Sequence, residues 1–546
     1  MVKRRLAVFI LTLVLLAGVF GPVAAQEGNI LRIDLTQEMD TLNPIYSNMW
    51  FSTTVMDLYL SPAWFIDDEL NPVPVLVTEI PSTENGGINE DGTVITLNLR
   101  DDIVWSDGTP ITSADFVFTY DMMLDEANTP ASRFPYDERV ASVEAPDERT
   151  VVVTFNEPFA PWISYLFQTS VPLPMHVLQP VFDNEGTIDF AEWNRAPTVG
   201  SGPFTFVEWQ EGSLMRFERN ENYFNEPATL DGVFVRFVPD DATVVASLMA
   251  GDSDVGTFIP YADAQALEES GNINIALVNS SYNEGWFFNI DPATAHPAML
   301  DVNVRRAIIM GFNRDQINQD LNLGITYTPG SYWEQTPYAR PDAAPLPYDP
   351  EAARQRLEEA GWVDEDGDGI REKDGERLTL RHVTSQRQIR QDVQVVAQQQ
   401  LAEIGIELVL ESYPSEIFFA SYIDDGPTAR GRYDIQEFSS PTAFPDPSIS
   451  RWLCTQIAND ESPDGVNDQG YCNEEVDALF AESDRTTDFD ARVALYHQID
   501  QIITDDVIWA GVWYDPDLWA VSNRFENTRI SGADPLWNIA NWTIVE

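Results

Sequence analysis

Apolar and polar positions alternate with a period of two along several short stretches of this chain, and each stretch ends at a turn. Ile95, Leu97 and Leu99 alternate with Thr96, Asn98 and Arg100, which predicts a strand with one apolar face. Ser106-Asp107-Gly108-Thr109-Pro110 then breaks the run with turn residues. Thr112 and Asp115 follow at capping-box spacing, and Phe116, Tyr120, Met123 and Leu124 form a stripe, which predicts a helix. Residues 150–155, 230–239, 286–289, 379–383, 406–411 and 433–438 read as further strands, and 508–522 as aromatic β sequence. Helical patterns fall at 302–312, at 348–362 with Ala353, Leu357 and Ala360 as the apolar side, and from about Arg390. Strands and helices interleave, so the expected class is mixed α/β. The chain has 546 residues, enough for more than one domain. It shows no internal repeat and no low-complexity linker.

Charge narrows the partners. Lys+Arg is 31 against Asp+Glu 89, a formal net charge of −58. A polyanion of this kind repels phosphates, which excludes nucleic acid and argues against anionic membrane surfaces. The basic residues are nearly all Arg, with Lys only at Lys3 and Lys373. Residues 1–25 read as a secretory signal peptide: Lys3, Arg4 and Arg5, an apolar run over 6–20, then Val23-Ala24-Ala25 for cleavage. No Cys stands near that point, so a lipid anchor is not expected, and the location is periplasmic or extracellular. The two cysteines, Cys454 and Cys472, are expected as a disulfide in an exported protein.

Candidate chemistry is sparse. No His-Glu-x-x-His occurs, His176, His296, His382 and His497 are scattered, and no Gly-x-Ser-x-Gly elbow is present, so no enzyme is expected. No cofactor is required. One segment has calcium-loop spacing: Asp364, Asp366, Asp368, the main chain of Ile370, and Glu372, with Gly369 at the bend. The bidentate acid of an EF-hand is missing, because position 12 is Gly375. A solvated acidic hairpin is the alternative.

Residues 97–121, with Trp105-Ser106-Asp107-Gly108-Thr109-Pro110 and the Thr112–Asp115 cap, resemble a signature of bacterial extracellular solute-binding proteins of family 5. Further stretches resemble the family in its order: Asp40-Thr41-Leu42-Asn43-Pro44, with Asn43 replacing the usual Asp; Gly200-Ser201-Gly202-Pro203; Arg219-Asn220-Glu221-Asn222-Tyr223-Phe224; 248–260; 302–314; and Tyr348-Asp349-Pro350 to Gly361-Trp362. The resemblance implies a two-lobed, type II periplasmic-binding-protein fold that closes like a clamshell, with an extra inserted domain. The implied layout is signal peptide 1–25, first lobe 26–62, 197–312 and 520–546, inserted domain 63–196, and second lobe 313–519.

The resemblance also implies a function: a monomeric receptor that binds a small solute between the lobes and hands it to an ABC permease. It places ligand contacts at Asn48, Trp50, Thr257 and Phe258 in the first lobe. In the second lobe it places them at Glu437, Ser439, Ser440 and Thr442. Where peptide-binding members carry an Asp for the peptide's amino group, this chain has Ala443, and where they carry Arg it has Glu437. Asp446 lies three residues beyond Ala443, in a turn that resembles the family's Asp/Glu-Pro turn, where a structural role is one expectation and a ligand contact the other. Peptide is the leading ligand class, and an oligosaccharide, favoured by the hydroxyl run and the rings, is the alternative.

Overall fold

The computed structural model describes residues 28–47, 49–280, 282–441, 446–447, 449–460, 462–463 and 465–545. The signal segment 1–25 lies outside them. Two sheets organise the described residues. The first has seven strands, in the order Ile273–Val278, Asp517–Ser522, Val255–Gly256, Ile30–Leu35, Gly232–Phe237, Leu214–Arg219, Phe204–Gln210. Ile30–Leu35 is central and pairs in parallel with both neighbours. The second has five, in the order Glu407–Tyr413, Thr379–Ser385, Ile435–Pro441, Tyr282–Phe288, Trp509–Tyr514. Its Thr379–Ser385 and Glu407–Tyr413 strands are parallel and joined by the helix Gln388–Ala402, the crossover that parallel strands require.

Among the described residues the chain passes between the sheets twice. Ile273–Val278 runs on into Tyr282–Phe288, and Trp509–Tyr514 into Asp517–Ser522. The lobe boundaries therefore fall near 278/282 and 514/517. The sequence reading set them at 312/313 and 519/520 and left Trp286-Phe287-Phe288 in the first lobe. That strand instead pairs with Ile435–Pro441 and Trp509–Tyr514, and helix Val302–Met310 buries Val304, Ala307 and Ile308 in the second lobe's core. An apolar strand fits either sheet locally. Pairing with residues about 150 and 220 positions away decides, and periodicity carries no trace of it.

Residues 94–155 build a three-stranded sheet, Val94–Asn98, Thr150–Phe155, Val140–Asp147, covered by the helix Ser113–Leu124. The capping box forms: the Thr112 N–H donates to the Asp115 carboxylate at 2.8 Å. Leu97, Phe116 and Val153 share one apolar core with Leu31, Val233 and Val255, so this inserted region is fused to the first sheet. It also touches the second lobe. Ser164 donates to Asp446 at 3.0 Å, and Arg485 reaches Glu157 at 3.2 Å.

Candidate functional site

A cleft of about 780 Å³ opens between the two sheets, beside the crossing strands. Its first-lobe wall is aromatic. Trp50 starts the helix Trp50–Tyr59, and its ring lies 4.7 Å from that of Phe258 and 6.0 Å from that of Trp519. The far end of this helix is clamped by the Gly200-Ser201-Gly202 turn. The Ser201 and Gly202 N–H groups both donate to the Tyr59 carbonyl at 2.9 Å. A Cβ on Gly200 would sit 2.2 Å from that oxygen, so only glycine allows the approach. Phe258 follows the short strand Val255–Gly256 in a left-handed conformation, φ 54°, which is strained for an aromatic residue. The turn leaves Phe258 38% exposed, lining the cleft.

The second-lobe wall is ionic. Glu284, fully buried, accepts from Arg390 Nε at 2.7 Å and Nη2 at 2.9 Å, a bidentate pair. Burial still pushes the Glu284 carboxyl up, against the pull of Arg390. Ser439 Oγ lies 2.6 Å from both Glu284 and Asp515. Asp515, in the second crossing segment, also accepts from Tyr261 and Trp513 at 3.1 Å and pairs with Arg387 at 3.4 Å. Burial works against the Asp515 charge, but Arg387 first, then Ser439 and Trp513, outweigh it and hold the carboxyl below its usual range. Two residues on, Asp517 lines the same cleft and is pushed up to about 7, mainly by burial and next by Asp515.

The structure sorts the residues expected at the site. Trp50, Phe258 and Ser439 line the cleft. Thr257 is buried beside it, with its hydroxyl lacking a partner among the described residues. Asn48 and Thr442, with Ala443, lie outside the described residues. Glu437 is corrected: it is fully buried, accepts from Trp286 Nε1 at 2.9 Å and lies 3.1 Å from His382 Nε2. It shares a strand face with Ser439 but sits two residues deeper in the lobe. Ser440 is corrected too, because alternation turns it to the opposite face, where it bonds Tyr332 Oη at 2.7 Å. Asp446 is structural: it is buried and held by Arg492, Tyr338 and Ser164. Sequence reasoning missed Glu284, Arg387, Arg390, Asp515 and Asp517. Two signals were there: Asp515-Pro516-Asp517 interrupts an aromatic run, and two Arg stand at a helix N-terminus, where the dipole disfavours them.

Away from the cleft, Asp364, Asp366 and Glu372 each offer an oxygen within 4.8 Å of the others, a geometry that can hold a cation. Asp368 turns instead to Arg377, at 2.6 Å, and accepts from the Ile370 N–H at 2.9 Å. The Asp364 carboxylate accepts from the N–H groups of Gly367 and Gly369, at 2.6 and 3.1 Å. Cys454 and Cys472 form a disulfide.

Known proteins share this architecture. The family model described as bacterial extracellular solute-binding proteins, family 5 Middle, matches residues 71–461. The oligopeptide-binding protein AppA of Bacillus subtilis (strain 168) is 27% identical over 530 residues, covering 95% of this chain and 92% of the relative. The glutathione-binding protein GsiB of Escherichia coli (strain K12) is 26% identical over 476 residues, 86% of each chain. Among solved structures, the ABC transporter substrate-binding protein CtaP of Listeria monocytogenes superposes with a TM-score of 0.79 at 24% identity, covering 95% of this chain and 100% of that one. NikZ of Campylobacter jejuni, in complex with Ni(L-His), gives 0.74 at 20% identity, covering 94% and 99%. These two likenesses establish the fold. The family match spans most of the chain, and this protein belongs to the bacterial extracellular solute-binding proteins of family 5, which are transport receptors and not enzymes.

Proposed function

We propose that this protein is the exported receptor of an ABC importer, that it takes a short peptide into the cleft between its lobes, and that it delivers the peptide to a membrane permease. The observation that carries the reading is the cleft itself. Its volume of about 780 Å³ lies within the usual range for ligand pockets. One wall offers rings for apolar side chains, and the other offers fixed charges for the polar groups of a peptide. The oligopeptide-binding relative supports the same class. The hydroxyl run that favoured a sugar gives less support, because Ser439 and Ser440 are engaged within the protein. Among the described residues no helix is long and apolar enough to cross a membrane.

The test is to denature freshly purified protein, identify the released small molecule by mass spectrometry, and titrate it back by calorimetry. A peptide that rebinds at one per protein is the expected result. A released sugar, with no binding of peptides, would overturn the peptide class.

A further inference from the structure

We propose that Asp517 anchors a cationic group of the solute, an ammonium, at the hinge end of the cleft. This rests on the reading of the cleft as the solute site. It follows from accounting for the charges that line it. Glu284 is held by Arg390, and Asp515 by Arg387, Ser439, Tyr261 and Trp513. Those two acids and two arginines are already matched. Asp241 and Asp392 lie exposed at the rim. Asp517 is different. It is partly buried, faces the cavity, and has no hydrogen bond or ion pair from its carboxylate among the described residues. A carboxylate removed from water without a partner is costly, and a cation offered by a ligand removes that cost. Two other acids of the second lobe, Glu437 and Asp446, are committed elsewhere, Glu437 to Trp286 and His382, Asp446 to Arg492 and Tyr338. Trp50 and Phe258, on the facing wall, add ring faces that attract cations.

The surroundings give the interaction a pH signature. Burial first and Asp515 next raise the Asp517 carboxyl, and Arg387 opposes them. Tyr261, Tyr282 and Tyr514 are the other titratable groups that feel its charge, and all three are themselves raised, chiefly by burial. With the carboxyl at about 7, much of it is protonated at pH 6. An ammonium pairs with the ionised form, so binding releases a proton and tightens as pH rises. From pH 6 to 7.5 the gain is about fivefold for an α-amine that is itself largely protonated over that range.

The experiment titrates tetraalanine and N-acetyl-tetraalanine into wild type and Asp517→Asn at pH 6 and 7.5, with melting temperatures as the folding control. The expected result has three parts. Tetraalanine binds wild type more tightly at pH 7.5. Asp517→Asn loses about tenfold for tetraalanine, together with the pH trend. The acetylated peptide is indifferent to the substitution. Equal binding of tetraalanine to both proteins would overturn the assignment and leave the peptide reading intact. If wild type binds neither peptide, the peptide reading fails, and 1,5-diaminopentane becomes the probe. Binding of the diamine that is lost in Asp517→Asn keeps the assignment, and no binding, or binding that survives the substitution, overturns it.

Discussion

The two walls of the cleft are built from different materials and are held in place by different forces. Trp50, Phe51, Phe258 and Trp519 form a ring cluster on the first lobe. Each such ring pair contributes about 0.5–1.5 kcal/mol beyond burial, and Trp50 and Phe258 are the members that stay partly open to the cleft. Glu284, Arg390, Ser439, Asp515 and Arg387 form a connected polar network on the second lobe. There the buried Glu284 and Arg390 depend on each other, and removing one strands the other away from water. Substitutions in the ring wall should therefore move affinity more than stability, whereas those in the ionic wall should move both.

The largest expected effect lies in the ionic wall. Arg390→Ala leaves Glu284 buried without its bidentate partner and should lower unfolding free energy by about 3–5 kcal/mol. Urea unfolding at pH 7.5 measures this. A loss of less than about 1 kcal/mol, the range of a surface pair, would mean that the pair is solvated and the contrast between the walls is false.

A smaller effect comes from behind the ring wall. Asp57, on the same helix as Trp50, is buried close to Asp534, and both carboxyls are raised, first by burial and, for Asp57, next by the charge of Asp534. Asp534 is tied to the inserted region through the Ile66 N–H at 2.6 Å and Gln168 at 2.9 Å. A carboxyl raised in the folded state keeps its proton where the unfolded chain has lost it. Stability is then full below about pH 4 and falls as pH rises toward 7 and beyond. Asp57→Asn should flatten this decline, with its gain over wild type growing as pH rises from 5 to 8. Parallel pH profiles for the two proteins would show that the pair is not responsible.

The contrast between the walls also explains what could be read from the sequence. Trp50 and Phe258 sit in short segments whose local order survives in one dimension, and the glycines that position the Trp50 helix occur in a compact motif. The ionic wall has no such trace. Glu284 meets Arg390 across 106 positions and Ser439 across 155, and only the sheet pairing brings them together. The error over Glu437 and Ser440 has the same origin. The strand was correctly expected, but the depth of each residue along it and the face it presents depend on which strands flank it. The lobe boundary was misplaced because Trp286-Phe287-Phe288 would be equally apolar in either sheet.

The measurement that bears most directly on the account is calorimetric titration of Trp50→Ala with tetraalanine, paired with its melting curve. The substitution removes the centre of the ring wall while leaving the Gly200–Tyr59 clamp and the ionic wall intact. The account predicts an affinity at least about tenfold weaker, the cost of losing one buried aromatic contact to the ligand, with a melting temperature within a few degrees of wild type. Unchanged affinity in a folded Trp50→Ala protein would place the solute elsewhere and contradict the account.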